Sequence, residues 1–267
     1  MKEAIEYIGE ENLEYMALQA HKPAHAVYVF VNKGGEIVKE IRNEKRIDFN
    51  SKYRMMDYYS GLVSMQKPVK SKLIFSNNYL TFFCRNVEKL TDKDIEEYFT
   101  VARMPEDHMF FMETVKENIR KIEKEKMDVV KFFLLDDPVL YRKFGIQNWI
   151  EKSISKKLTP RSNPELKGKG FPVSCSYNTK KPYQMTKMYL VDAEEGLQTK
   201  LFYDILKGLK YRGYEMLVVA ENTFIPLKRG QMPDRCIVGG MILAFDVQKS
   251  GAVITHADTI ERYTPWL

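Results

Sequence analysis

Four histidines, three cysteines and one pair of adjacent aspartates are the first residues to test for chemistry. His21 and His25 have the four-residue spacing by which a helix can offer two imidazoles to a metal. Pro23 lies between them and forbids a regular helical turn, so both are expected in a loop. His256-Ala257-Asp258 places a base and a carboxylate two residues apart, on one face of a strand. No further ligand stands beside them, and a surface pair is the expectation. Asp136-Asp137 could seed a two-metal nuclease site only with carboxylates supplied from elsewhere. Pro138, which follows, makes a helix start the better reading. Cys84, Cys175 and Cys236 are far apart, odd in number and without C-x-x-C spacing, so free thiols are expected rather than a zinc knuckle or disulfide framework.

No G-x-x-x-x-G-K-[ST] loop and no G-x-S-x-G elbow occurs, and Gly239-Gly240 lacks the third glycine and the following helix of a dinucleotide site. The expectation is a protein that is not an enzyme and carries no cofactor or metal.

The charge is more informative. The 267 residues include 42 basic and 36 acidic side chains, for a net +6. Nine of the basic ones fall between residues 152 and 187: Lys152, Lys156, Lys157, Arg161, Lys167, Lys169, Lys180, Lys181 and Lys187. Only Glu165 opposes them there, so this segment carries the whole excess and the rest of the chain is close to neutral. Pro160, Pro164, Pro172 and Pro182, with Gly168 and Gly170, make it an extended loop. Phe171, Tyr177 and Tyr183 are interleaved with the cations. Such a composition suits phosphate neutralisation and base stacking. A solubilising linker between two halves has the same composition, and both readings stay open on these residues alone.

The flanking sequence must position that loop. Lys2 to Gln19 reads as helix, bent near Gly9 and Asn12. Ala26–Val31 and Glu36–Ile41, joined by Asn32-Lys33-Gly34-Gly35, read as a β-hairpin. Tyr53–Met65 reads as helix up to Pro68, and Leu73–Arg85 as strand, Ser76-Asn77-Asn78 turn, strand. Thr91 with Asp94 signals a helix N-terminus through about Val101. Pro105 opens the next helix, whose apolar stripe is Phe111, Met112, Val115, Ile119 and Ile122. Asp136-Asp137-Pro138 starts another, running through Trp149 and Ile150. Asp192 with Glu195 caps a helix whose apolar face is Leu197, Leu201, Ile205, Leu206 and Leu209, ending at Gly213. Met216–Leu227, broken at Glu221-Asn222, and Cys236–Val247 read as strands, and Lys249-Ser250-Gly251 turns into Ala252–Thr255. Helices and antiparallel hairpins without regular βαβ alternation give an α+β class. The expected division is an N-terminal lobe 1–151, the basic loop 152–187, and a C-terminal lobe 188–267 packed on the first. Hydrophobic residues are 44% and charged residues 29%, ordinary for a globular chain. The longest apolar run, Ile237–Phe245, is too short to cross a bilayer, and no leader is legible at Met1-Lys2-Glu3-Ala4. A cytoplasmic protein without membrane contact is expected.

Two segments carry a family resemblance. Met55–Phe83, reading MMDYYSGLVSMQKPVKSKLIFSNNYLTFF, and Ser174–Tyr183, SCSYNTKKPY, followed by a helix and Phe224-Ile225-Pro226-Leu227, resemble the large subunit of the subtype I-B CRISPR surveillance complex (Cascade), in that family's order. The resemblance covers the N-terminal part of the family, whose C-terminal helical bundle is not legible here. It implies a non-catalytic subunit in prokaryotic antiviral defence, sitting at the 5′-handle end of a guide RNA beside the backbone subunits. Such a subunit recognises the protospacer-adjacent motif, helps open target double-stranded DNA and docks a helicase-nuclease. Base pairing reads the sequence in these complexes, leaving the protein a short motif and the backbones. Asn and Gln pair with adenine, Arg and Lys with guanine or phosphate. The expected nucleic-acid residues are therefore Asn77, Asn78, Lys156, Lys157, Arg161, Lys167, Lys169, Asn178, Lys180 and Lys181. For Asn77-Asn78 a left-handed turn is an equal expectation. The rivals are a protein-interaction scaffold whose basic loop docks a partner, and a metal-dependent nuclease built on Asp136, Asp137 and His256.

Overall fold

The computed structural model describes residues 2–41, 51–63, 72–122, 129–153, 171–172, 190–191, 193–221, 223–248 and 251–265. The chain forms two compact units, one of residues 23–153 and one of residues 1–22 with 154–267. The division differs from the expected lobes at one end. Helices α1 (Lys2–Ile8) and α2 (Glu10–Ala20), separated at Gly9, belong with the C-terminal residues.

The 23–153 unit is built on strands β1 (Val27–Val31), β2 (Ile37–Ile41), β3 (Thr81–Arg85) and β4 (Val129–Leu134), in the order β2-β1-β4-β3. Its helices are α3 (Ser51–Ser60), α4 (Asp92–Val101), α5 (Met109–Asn118) and α6 (Pro138–Ser153). The hairpin β1–β2 is antiparallel, and its turn is held by Asn32, whose Oδ1 accepts from Gly34 N and Glu36 N, both at 2.9 Å. Strands β1 and β4 pair in parallel, so hairpins alone do not make this sheet. Strand β4 was not expected at all. Its sequence, VVKFFL, places a lysine in mid-strand, and a charge there hides a buried strand from a search for apolar runs.

Alternation along the strands gives the sheet two faces, and both are covered, as parallel pairing requires. Tyr28, Phe30, Phe83, Lys131 and Phe133 share one face by register. Tyr53 of α3 packs on Phe30 there, with ring centroids 4.7 Å apart. Phe82 and Phe132 lie on the other, where Tyr98 and Phe99 of α4 pack on Phe82 at 5.3 and 5.7 Å and Phe111 of α5 packs on Phe99 at 5.8 Å. Lys131 is buried because Asp57 of α3 stands opposite it, Nζ to Oδ1 2.5 Å, and the rings of Tyr28 and Phe83 lie 5.3 and 4.7 Å from the ammonium. Helix α4 begins at the expected capping box, Thr91 with Asp94.

In the other unit the short pair β5 (Phe171–Pro172) and β6 (Leu190–Val191) is followed by α7 (Ala193–Tyr211). The strands β7 (Met216–Ala220), β8 (Thr223–Leu227), β9 (Ile237–Gln248) and β10 (Gly251–Tyr263) form an all-antiparallel sheet in the order β10-β9-β7-β8. Leu201, Phe202, Ile205, Leu206 and Leu209 form the buried stripe of α7. Helix α2 packs on α7 so closely that a Cβ on Gly208 would stand 2.5 Å from the carbonyl oxygen of Ala20, which only glycine permits. Strand β10 runs eight residues past the expected end at Thr255, with a bulge between Ile254 and His256. Among the described residues the fold is α+β, as expected, and no helix is long and apolar enough to cross a membrane.

Candidate nucleic-acid interface

Ser76-Asn77-Asn78 lies near the end of the first resembling segment, and the structure turns it inward. Asn77 is 0% and Asn78 2% exposed. The expectation that these amides face nucleic acid is corrected by their partners. Asn77 Nδ2 donates to the Tyr59 carbonyl at 2.7 Å, and Asn78 Nδ2 to Ser60 Oγ at 3.1 Å and Asn77 Oδ1 at 2.8 Å, tying the segment to the end of α3. Asn78 Oδ1 accepts from Leu80 N at 3.1 Å, while Asn148 of α6 donates to the Asn77 carbonyl at 2.6 Å. The left-handed turn is not adopted either: among the described non-glycine residues only Asn86 and Arg103 have positive φ.

Two tyrosines complete the network. Tyr98 donates to the carbonyls of Asn78 and Thr81 at 2.6 and 2.8 Å, and Tyr141 to those of Leu80, at 3.2 Å, and Leu134. Burial pushes both phenols far above their ordinary value, so they stay protonated and act as donors. Every partner is a main-chain or side-chain group of the same unit, and no donor of the two asparagines is turned outward to a ligand. A buried amide with its hydrogen bonds made specifies packing. The signal that could have shown this is the setting: SNN directly precedes the apolar run Tyr79–Cys84, which a solvent-facing turn need not do.

Lys156, Lys157, Arg161, Lys167, Lys169, Asn178, Lys180 and Lys181 lie outside the described residues. The basic segment begins where the chain passes from the 23–153 unit into the other.

A second cationic feature lies within the described residues and was not anticipated. The edge strand β8 holds Phe224-Ile225-Pro226-Leu227, the end of the second resembling segment. Pro226 lacks an N–H for a ladder and is tolerated because β8 is an edge. A groove of about 440 Å³ runs between Phe224, Ile225 and Leu227 and the connection to β9, with Met232 and Arg235 on its other wall. That connection is held in shape. Lys228 N donates to Gln231 Oε1 at 2.9 Å, and Tyr263 donates to the Pro233 carbonyl at 3.1 Å. Lys228, Arg229 and Arg235 are all exposed on it, and Asp234, 3.4 Å from Arg235, is its one acid. Arg235 and Asp234 line the groove itself, while Lys228 and Arg229 stand on the adjoining connection, and cations beside an apolar wall can hold a phosphate backbone and the faces of its bases. The three cations within KRGQMPDR were the available signal.

Asp137 Oδ1 accepts from Val139 N at 2.9 Å, as a helix start requires. Asp136 accepts from Asp137 N at 2.8 Å and pairs with Lys33 at 3.1 Å. Burial raises the Asp136 pKa, but the Asp137 N–H and the Lys33 ammonium outweigh it and hold the carboxyl below its ordinary value. Helix α2 ends at Ala20, so His21 and His25 share no helical turn. His256 and Asp258 are exposed on one face of β10, and Asp258 Oδ1 accepts from Thr259 N at 2.8 Å. Among the described residues no group of three or more His, Cys, Asp or Glu could hold a metal ion. Neither Cys84, which is buried, nor Cys236, which is exposed, is in a disulfide, and Cys175 lies outside the described residues. Comparison with family models, with curated proteins and with solved structures returned no match.

Proposed function

We propose that this chain is a non-catalytic nucleic-acid-binding protein whose contact surface is the basic segment 152–187, extended by the cationic groove along β8. The observation that carries the reading is the concentration of charge: nine basic residues against one acid in 36 positions, in a chain otherwise close to neutral. Aromatics among those cations, and the apolar wall of the groove beside Lys228, Arg229 and Arg235, supply the stacking half of such a contact. The resemblance of Met55–Phe83 and of Ser174–Tyr183 with Phe224–Leu227 to the large subunit of subtype I-B surveillance complexes gives the reading its specific form. In that form the chain holds the 5′-handle end of a guide RNA and target double-stranded DNA, contacts the backbone subunits and docks a helicase-nuclease. The buried asparagines take no part. Within the resembling segments the contact falls to Asn178, Lys180 and Lys181.

The test is a salt series on DNA and RNA binding. Reversal of Lys180 and Lys181 to glutamate is expected to weaken binding on every sequence and to lower the slope of log K against log salt by about 0.9 for each lost phosphate contact on a duplex. Reversal of Lys228 and Arg229 is expected to act in the same direction. Unchanged affinity and slope in both variants would overturn the reading.

A further inference from the structure

Strand β10 is an edge of its sheet, and among the described residues no strand pairs with its outer side. It is thirteen residues long, contains no proline, and is exposed from Thr255 through Thr259. A long edge without proline or lysine is a template for another strand, and most proteins blunt or cover such an edge. Here the sequence of the edge also says which strand fits.

Residues 254–260 read Ile-Thr-His-Ala-Asp-Thr-Ile. The run is symmetric about Ala257 except at the two positions flanking it, where a base on one side matches an acid on the other. In an antiparallel pair of two identical strands centred on Ala257, Ile254 stands opposite Ile260, Thr255 opposite Thr259, and His256 opposite Asp258. Ile254 and His256 oppose consecutive residues of β9 across a bulge, so Ile254 and Ile260 project from opposite faces, and the favourable cross-strand pair that remains is imidazole on carboxylate, twice over. Centring one residue earlier sets His256 against itself, and one residue later sets Asp258 against itself. The charges therefore select one register.

The geometry of the existing sheet agrees. His256 is opposite Ala244 and Asp258 opposite Ile242 in β9, so both project from the same face, and partners across the outer edge would meet them there. The bulge at Thr255 breaks the alternation on that side, and the regular run of the edge that carries the contact is His256 to Ile260, with the two His256–Asp258 pairs at its centre.

We propose that β10 pairs with β10 of a second copy of this chain, antiparallel about Ala257, joining two four-stranded sheets into one of eight strands through a closed two-fold contact. One strand pair buries less than the ~1,200–2,000 Å² of a stable specific interface, so the dimer is weak and depends on concentration.

Sedimentation velocity on the nuclease-treated chain, from micromolar to near-millimolar concentration, is expected to show a monomer–dimer equilibrium without nucleic acid. This separates the result from the fate of the nucleic-acid reading. His256→Asp and Asp258→His each place like groups across the contact and are expected to weaken the dimer about tenfold. The double variant exchanges the two residues, restores both pairs and is expected to recover the dimer. Ala257→Cys sets each new thiol against its own copy, and mild oxidation is expected to give a dimer whose cross-link maps to position 257 on both chains. A chain that stays monomeric throughout, with no cross-link at 257, overturns the proposal. A dimer indifferent to the single exchanges overturns this register.

Discussion

In the sheet β2-β1-β4-β3 the charged and amide side chains that matter are inside: Lys131 on Asp57 between aromatic rings, and Asn77 and Asn78 under α3 and α6. In the sheet β10-β9-β7-β8 they stand outside, on the open strand β10 and on the cationic connection after β8. The same residue types thus do opposite work. In the first sheet a polar group satisfied by the fold fixes how elements meet. In the second, polar groups left for solvent are available to something else. Polarity alone does not mark a binding residue; the number of its own fold's groups already engaged decides.

The comparison breaks most readily at the buried pair. Asp57→Ala, which leaves the Lys131 ammonium uncompensated in an aromatic interior, and Lys131→Ala, which takes that ammonium from the buried Asp57, are each expected to destabilise the 23–153 unit by about 3–5 kcal/mol. Replacing both by apolar residues of similar volume, Asp57→Leu with Lys131→Met, is expected to recover most of that loss. Trp149, largely buried in α6, reports on this unit, so denaturant titrations followed by its fluorescence in a Trp266→Phe background give the numbers. A small loss in the single variants would mean that the interior tolerates an unpaired charge, and the contrast between the sheets would weaken.

Asn78→Ala is next. It removes the side-chain partner of Leu80 N and of Ser60, and is expected to lose about 2–3 kcal/mol in the same titration. Its affinity for nucleic acid, measured on folded protein, is expected to be unchanged. A loss of affinity at full stability would restore this asparagine to the surface role.

The smallest effect sharpens the contrast at its boundary, where Asp136 is mostly buried and Lys33 is 67% exposed. The carboxyl is held below its ordinary value, so it contributes stability above the unfolded carboxylate range and loses it as pH falls through the lowered value. Lys33→Met is expected to reduce stability at neutral pH by no more than about 1 kcal/mol, since one partner is solvated. Wild type and variant are expected to converge once acid has protonated Asp136. Stability measured from pH 7 downwards checks the sign.

The parts of the fold legible in the sequence are those specified over a few residues. The Asn32 turn, the Thr91–Asp94 capping box, the stripe of α7 and the break between β7 and β8 each depend on neighbours within one helical turn or one hairpin. Strand β4 escaped because Lys131 is made apolar-like only by Asp57, 74 residues away. Asn77 and Asn78 were read as surface because their partners, Tyr59, Ser60 and Asn148, lie 18 to 71 residues off. The second half of β10 escaped because an exposed edge shows no apolar alternation. Of the site, the basic segment was legible as charge, whereas the groove along β8 needed the edge strand and its returning loop to be seen together.

The discontinuous unit has a consequence for the growing chain. Helices α1 and α2 leave the ribosome before the rest of their unit, with Ala4, Ile5, Ile8, Leu13, Ala17 and Leu18 made to be buried. Their docking partner is α7, and the Arg212 guanidinium that donates to the Gln19 carbonyl is 193 residues further along. At ~5–20 residues per second, that apolar surface waits roughly 10–40 s for its partner. The 23–153 unit has everything it needs and can close during the wait. These two helices are made before the 23–153 unit and shielded after it, and a nascent-chain chaperone would find its binding site on them.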